Sequence, residues 1–183
     1  MKKIIALILS VLMLLTFAAC GNAGGGADEE ITVGTTLRDA FKNNHDGTAE
    51  EIANALIANE IIEFMPAVMP VEEGYLNGFD NEIKGFKEGA MFGPMIGTIP
   101  FVGYIFVLED GADVDAFMTT LKDNANLRFN ICTEAEEMIV ENEGNKVFFL
   151  MSPKSFEQEG DVGDGEVGGD ENQLPAADGI TLE

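Results

Sequence analysis

Apolar residues along this chain change their spacing several times, and each change predicts an element. Met1-Lys2-Lys3 precedes an apolar run from Ile4 to Ala19, and residues 21–30 then carry no apolar periodicity. Further on, Thr48-Ala49-Glu50-Glu51 has the form of a capping box, in which Thr48 accepts from the third helical N–H and Glu51 reaches back. Ile52, Leu56, Ile57 and Ile61 continue at helical spacing and predict a helix from Ala49 to about Glu63. Met65-Pro66-Ala67-Val68-Met69-Pro70 is too interrupted by proline for a central strand, although an edge strand tolerates it. Phe101 to Glu109 is apolar on both alternate faces and rich in β-branched and aromatic residues, which predicts a central strand covered on both sides. Asp110-Gly111 turns the chain. Asp113 then caps a helix whose buried positions are Val114, Phe117, Met118 and Leu121. Met138 to Asn142 and Lys146 to Met151 flank Glu143-Gly144-Asn145 and predict a β-hairpin.

Taken in order, these elements predict an α+β fold: an antiparallel or mixed sheet of three to four strands packed against two helices. The single domain spans residues 31–154. Gly21 to Glu30, with three consecutive glycines, reads as a flexible tether. Residues 155–183 hold nine acids and no Lys or Arg, too little apolar surface to offset ordering entropy, so the tail is expected to be disordered.

A basic start, an apolar run shorter than the roughly 20 residues of a bilayer span, and small residues ahead of a cysteine make a secretory leader over residues 1–19. Phe17-Ala18-Ala19-Cys20 resembles the lipobox of bacterial lipoproteins: Ala18, Ala19 and Cys20 match the pattern, and Phe17 stands where Leu is usual. The resemblance implies export, cleavage before Cys20, a diacylglyceryl group on its sulfur bearing palmitate-type chains, and residence on the outer face of the cell membrane. Two or three acyl chains suffice as an anchor, since each buried methylene contributes about 0.8 kcal/mol. Through Gly97-Thr98-Ile99-Pro100-Phe101 leading into a strand, followed by Asp113 opening a helix, the core is also similar to uncharacterised small lipoproteins of Gram-positive bacteria. That likeness spans Thr48 to Pro153 and carries no activity.

Charge then narrows the partners. The formal net charge is −23, and losing Lys2 and Lys3 with the leader makes it about −25. A chain this acidic repels nucleic acid and anionic lipid head groups, so no nucleic-acid binding is expected. Cys132 is the one cysteine besides Cys20; it cannot form an intramolecular disulfide after lipidation of Cys20 and reads as a small buried hydrophobe.

Catalytic chemistry is hard to assemble. His45, the single histidine, lies in a polar connector, and the mature serines are Ser152 and Ser155, which makes a hydroxyl-histidine triad improbable. There is no P-loop, dinucleotide fingerprint or zinc spacing, and no cofactor is implied. Met65 and Met69, and Met91 and Met95, sit four apart; without His or Cys beside them they read as core filling rather than a copper site. Asp110, Asp113 and Asp115 lack the EF-hand pattern and are assigned to turn and capping roles.

The stretch Gly89 to Leu108 runs for twenty residues without a charge. Pro94 and Pro100, and the acids that follow, weigh against a second membrane span and favour a Gly/Pro loop leading into the core strand. Any portion left exposed would be an apolar contact surface, with Phe86, Met91, Phe92, Met95 and Ile96 as its candidate residues. The expectation is a non-enzymatic, lipid-anchored module that binds a protein, peptide or envelope component. A carboxylate-dependent envelope hydrolase and a ligand-binding accessory of a transporter are the alternatives.

Overall fold

The computed structural model describes residues 30–96 and 98–156, so Cys20, the leader, the tether up to residue 29 and the tail from residue 157 lie outside the described residues, while Phe156, expected in the disordered tail, packs against Phe64 and Phe101. The chain forms α1 (Val33–Asn43), α2 (Ala49–Ile57), β1 (Pro66–Val71), β2 (Glu88–Pro94), β3 (Val102–Val107), α3 (Val114–Asn124), β4 (Glu137–Glu143) and β5 (Lys146–Ser152). The five strands make one antiparallel sheet in the order β1-β2-β3-β5-β4. The α+β class therefore holds, with a larger sheet than the local patterns predict and a third helix.

Alternation along the strands assigns the two faces. Ala90, Phe92, Ile105, Val107, Phe148 and Leu150 pack against Val33, Leu37 and Phe41 of α1 and Ala49, Ile52, Ala53 and Leu56 of α2. On the opposite face Val102, Tyr104, Phe106, Val147, Phe149 and Met151 meet Phe117 and Leu121 of α3 and Phe79, Ile83 and Phe86 of the β1–β2 connection. All six residues of β3 are buried. A strand covered on both faces has no polar side to alternate with, which is why its sequence is a continuous apolar run.

Both helix starts on the first face are held by acids from the sheet. Glu88 Oε1 accepts from Ala49 N–H at 2.7 Å, and Glu137 Oε1 accepts from Gly34 N–H at 2.7 Å. Orphan N–H groups and the positive end of the helix dipole favour a carboxylate there. The Thr48 capping box forms as expected, with Thr48 Oγ1 accepting from Glu51 N–H and Glu51 Oε2 from Thr48 N–H. Helix α2 nevertheless stops at Ile57 rather than near Glu63. Asn59 Oδ1 accepts from Ile61 N–H, a local bond that competes with the helical one and turns the chain, while Ile61 and Ile62 still pack on the core. Asp113 caps α3 through Ala116 N–H; Phe117 and Leu121 are buried, with Val114 and Met118 half-buried.

Strand β1 is an edge, and its prolines sit where a sheet tolerates them. Met95 N–H donates to Met65 O at 3.0 Å, which sets the parity of the ladder. Pro66 and Pro70, opposite Pro94 and Ala90, therefore fall at the non-hydrogen-bonded positions. The outward edge of β1 lacks two N–H donors, which blunts further strand addition.

Tyr104, fully buried on β3, donates its hydroxyl to Asn77 O at 2.8 Å. Burial pushes the phenol well above its ordinary value, and the bond to Asn77 only partly opposes this. A folded-state value raised above the unfolded one means the stabilisation is complete below pH 10.0 and falls as the pH rises above it, by about 1.4 kcal/mol per pH unit. Alkaline unfolding, followed by tyrosinate absorbance and circular dichroism together, should therefore shift to higher pH in Tyr104→Phe. An unshifted alkaline midpoint would show that Tyr104 contributes nothing to it.

Candidate functional site

At one end of the sheet β1 starts, β2 finishes, β3 starts, β5 finishes and β4 starts. Between this end and the 129–132 turn lies an open groove of about 450 Å³, within the usual range for ligand sites. Met91, Pro94, Ile99, Phe101, Val102, Phe129 and Ile131 give it apolar walls, and Asn77, Asn130 and Cys132 are its polar lining. Among the described residues, no carboxylate and no cation lines it. A second hollow of about 370 Å³ lies beside it, sharing Ile99 and bordered by Glu63, Thr98, Pro100, Thr133, Pro153, Ser155 and Phe156. Thr133 Oγ1 donates to Thr98 O at 2.6 Å and so ties the 98–101 segment, which separates the two hollows, to the turn.

The structure divides the five residues expected to form a contact surface. Met95 and Ile96 are exposed, at 60% and 87%, just beyond β2, and half-buried Met91 lines the groove. Phe86 is corrected to the core, and Phe92, though it borders the groove, keeps its ring fully buried there too. Phe86 lies 4.8 Å from Phe106, ring centre to ring centre, and Phe92 is fully buried against Gly103 on the α1/α2 face. For Phe92 the reason is that Glu88 to Pro94 is a strand rather than a Gly/Pro loop, so successive side chains point to opposite layers, and Phe86 belongs to the β1–β2 connection that packs on the α3 face.

Cys132 is a second correction. Expected as a buried hydrophobe, it is exposed and lines the groove. Ile131 beside it is 96% exposed. These two and Phe129 are the site residues missed by pattern reading. The available signal was an isolated apolar pair, Ile131-Cys132, between Asn130 and Thr133 in a stretch without periodicity.

Among the described residues no cluster of three or more His, Cys, Asp or Glu could hold a metal ion, and no helix is long and apolar enough to cross a membrane. The ion pair of Lys42 with Glu141 at 2.7 Å fastens α1 to β4, away from the groove. Burial pushes the Glu141 carboxyl up, yet the hydrogen bond and charge of Lys42, with help from Asn142 N–H and Arg38, hold it below its ordinary value. What the groove can do chemically is receive an uncharged, apolar group, with Asn77 and Asn130 available to orient any polar portion of it. No family model matches the chain, and no curated protein or solved structure matches it either.

Proposed function

We propose that this chain is a lipid-anchored extracytoplasmic binding module, held to the membrane through Cys20, which takes an apolar group of an envelope partner into the groove beside the 129–132 turn. The observation that carries this reading is a hollow of about 450 Å³ whose lining mixes apolar side chains with uncharged polar groups, rimmed by Ile131, which is 96% exposed. Solvent-exposed apolar walls around a concave site mark ligand or partner contacts. The anchor rests on the resemblance of Phe17-Ala18-Ala19-Cys20 to a lipobox. The module acts by binding.

The volume also favours a second reading, capture of a free apolar solute as an accessory of a transporter. The two differ in whether the apolar group arrives on a macromolecule or alone.

Cys132 supplies the test, because it lines the groove and is accessible. A maleimide should label it in the folded protein. A saturating medium-chain acyl probe should slow labelling roughly tenfold, the equivalent of about 1.4 kcal/mol of occupancy. Ile131→Ser, at a position too exposed to matter for folding, should weaken that protection. Unchanged labelling in the presence of acyl probes and of apolar peptides would remove the groove from consideration as a binding site.

A further inference from the structure

We infer that the groove-bearing end of the sheet seats directly on the bilayer, with Ile31, Met65, Met95, Ile96 and Ile131 as the residues that enter it. This rests on the anchored-module reading and adds what covers its apolar rim. The five residues are 88%, 72%, 60%, 87% and 96% exposed, in a chain whose formal net charge is −23. Tyr75, Met69 and Met138 are exposed as well, and what sets these five apart is that they share a position.

All five lie at one end of the molecule. Met65 and Met95 are paired where β1 starts and β2 finishes, with Ile96 next in the chain. Ile131 is on the turn fastened to the 98–101 segment through Thr133 and Thr98. Ile31 precedes α1, whose first N–H, that of Val33, donates to Lys154 O just beyond β5.

The chain leading back to Cys20 arrives at this same end. Glu30, the first described residue, pairs with Lys154 Nζ at 2.6 Å. Nine residues lie between Cys20 and Glu30, and the ten extended steps that join them span at most about 35 Å. An anchored Cys20 keeps the apolar end within reach of the membrane surface, and seating that end leaves the acid-rich Asp110-Gly111 turn, at the opposite end of β3, facing away. Attraction between charges does not drive the contact, because Lys154 and Arg128 at this end are paired with Glu30 and Glu134, and Glu63 beside them adds a further negative charge. Burial of apolar side chains at the acyl boundary is the driving force.

The protein contains no tryptophan, so a single introduced indole reports position cleanly. The full-length chain carrying Ile131→Trp, Ile96→Trp or, as control, Asp110→Trp would be reconstituted into phosphatidylcholine vesicles with brominated acyl chains. Flotation with the vesicles verifies anchorage. Indoles at 131 and 96 should lose at least about half of their fluorescence relative to unbrominated vesicles, as expected for side chains at the acyl boundary. The indole at 110 should lose little, and added salt should not alter the contrast. Protein that floats but shows equal, weak quenching at all three positions overturns the seating while leaving the anchor intact. Protein that does not float removes the anchor and the seating together.

Discussion

Gly103→Ala is expected to destabilise the domain by about 3 kcal/mol, the upper end of what overpacking a core costs. Gly103 lies opposite Phe92 in the β2–β3 ladder, and the Phe92 ring covers it so closely that a Cβ would fall 2.2 Å from Cζ. The ring has nowhere to go. Phe101 and Phe148 stand 6.0 and 6.4 Å from it, centre to centre, and Phe92 itself is fully buried. The only relief is to force the central strands β2 and β3 away from each other, and a domain whose whole stability is about 5–15 kcal/mol loses much of it that way. Gly103→Val should not fold. Urea unfolding would measure the first effect, and a Phe92→Leu change in the Gly103→Ala background should recover some of it. Strictly additive losses in that double-mutant cycle would show that the clash is not the cause.

Glu137→Ala is expected to cost a comparable amount, about 3 kcal/mol, because one carboxylate satisfies three donors. Its Oε1 accepts from Gly34 N–H at 2.7 Å and Ser152 Oγ at 3.0 Å, and its Oε2 accepts from Thr32 Oγ1 at 2.7 Å. Removing it leaves the start of α1 and the nearly buried Thr32 and Ser152 without their acceptor. In a chain of formal charge −23, deleting a negative charge relieves general repulsion, so a purely long-range effect would stabilise. Glu137→Gln, which keeps one acceptor oxygen, should lose roughly half as much as the alanine variant. Hydrogen exchange in α1 should accelerate in parallel with the thermal destabilisation. An alanine variant as stable as the parent would mean that α1 is held by its apolar face alone.

The local signals of the sequence reached some elements and not others for identifiable reasons. The hairpin of β4 and β5, central strand β3, and the capped starts of α2 and α3 were legible because each is specified by residues within a few positions of one another. Helix α1 was not, since Gly34, Thr35 and Thr36 in its first turns are poor helix formers, its capping box uses Thr35 in place of the usual Glu or Gln, and Glu137 adds a hold from 103 residues away. Strand β2 has the local pattern of a loop because Gly89, Gly93 and Pro94 are weak strand formers. Gly93 and Gly103 are instead the places where neighbouring groups approach too closely for a side chain, Phe101 O in one case and the Phe92 ring in the other.

The same division runs through the site. The uncharged stretch from Gly89 to Leu108 pointed to the right region, and Met95 and Ile96 emerged from it as exposed side chains. Composition alone could not separate them from Phe86 and Phe92, because apolar character states only that a residue avoids water, while strand parity decides which layer it faces. By itself, then, the sequence determined the α+β class, the doubly covered central strand, the capped helices and the acidic surface, all consequences of short-range periodicity and charge. Only tertiary structure decided the strand order, the burial of Phe86 and Phe92, and the meeting of Met91, Ile99 and Ile131 around one groove. Those depend on pairings between segments tens of residues apart, and the free energy of such contacts is absent until the chain has folded.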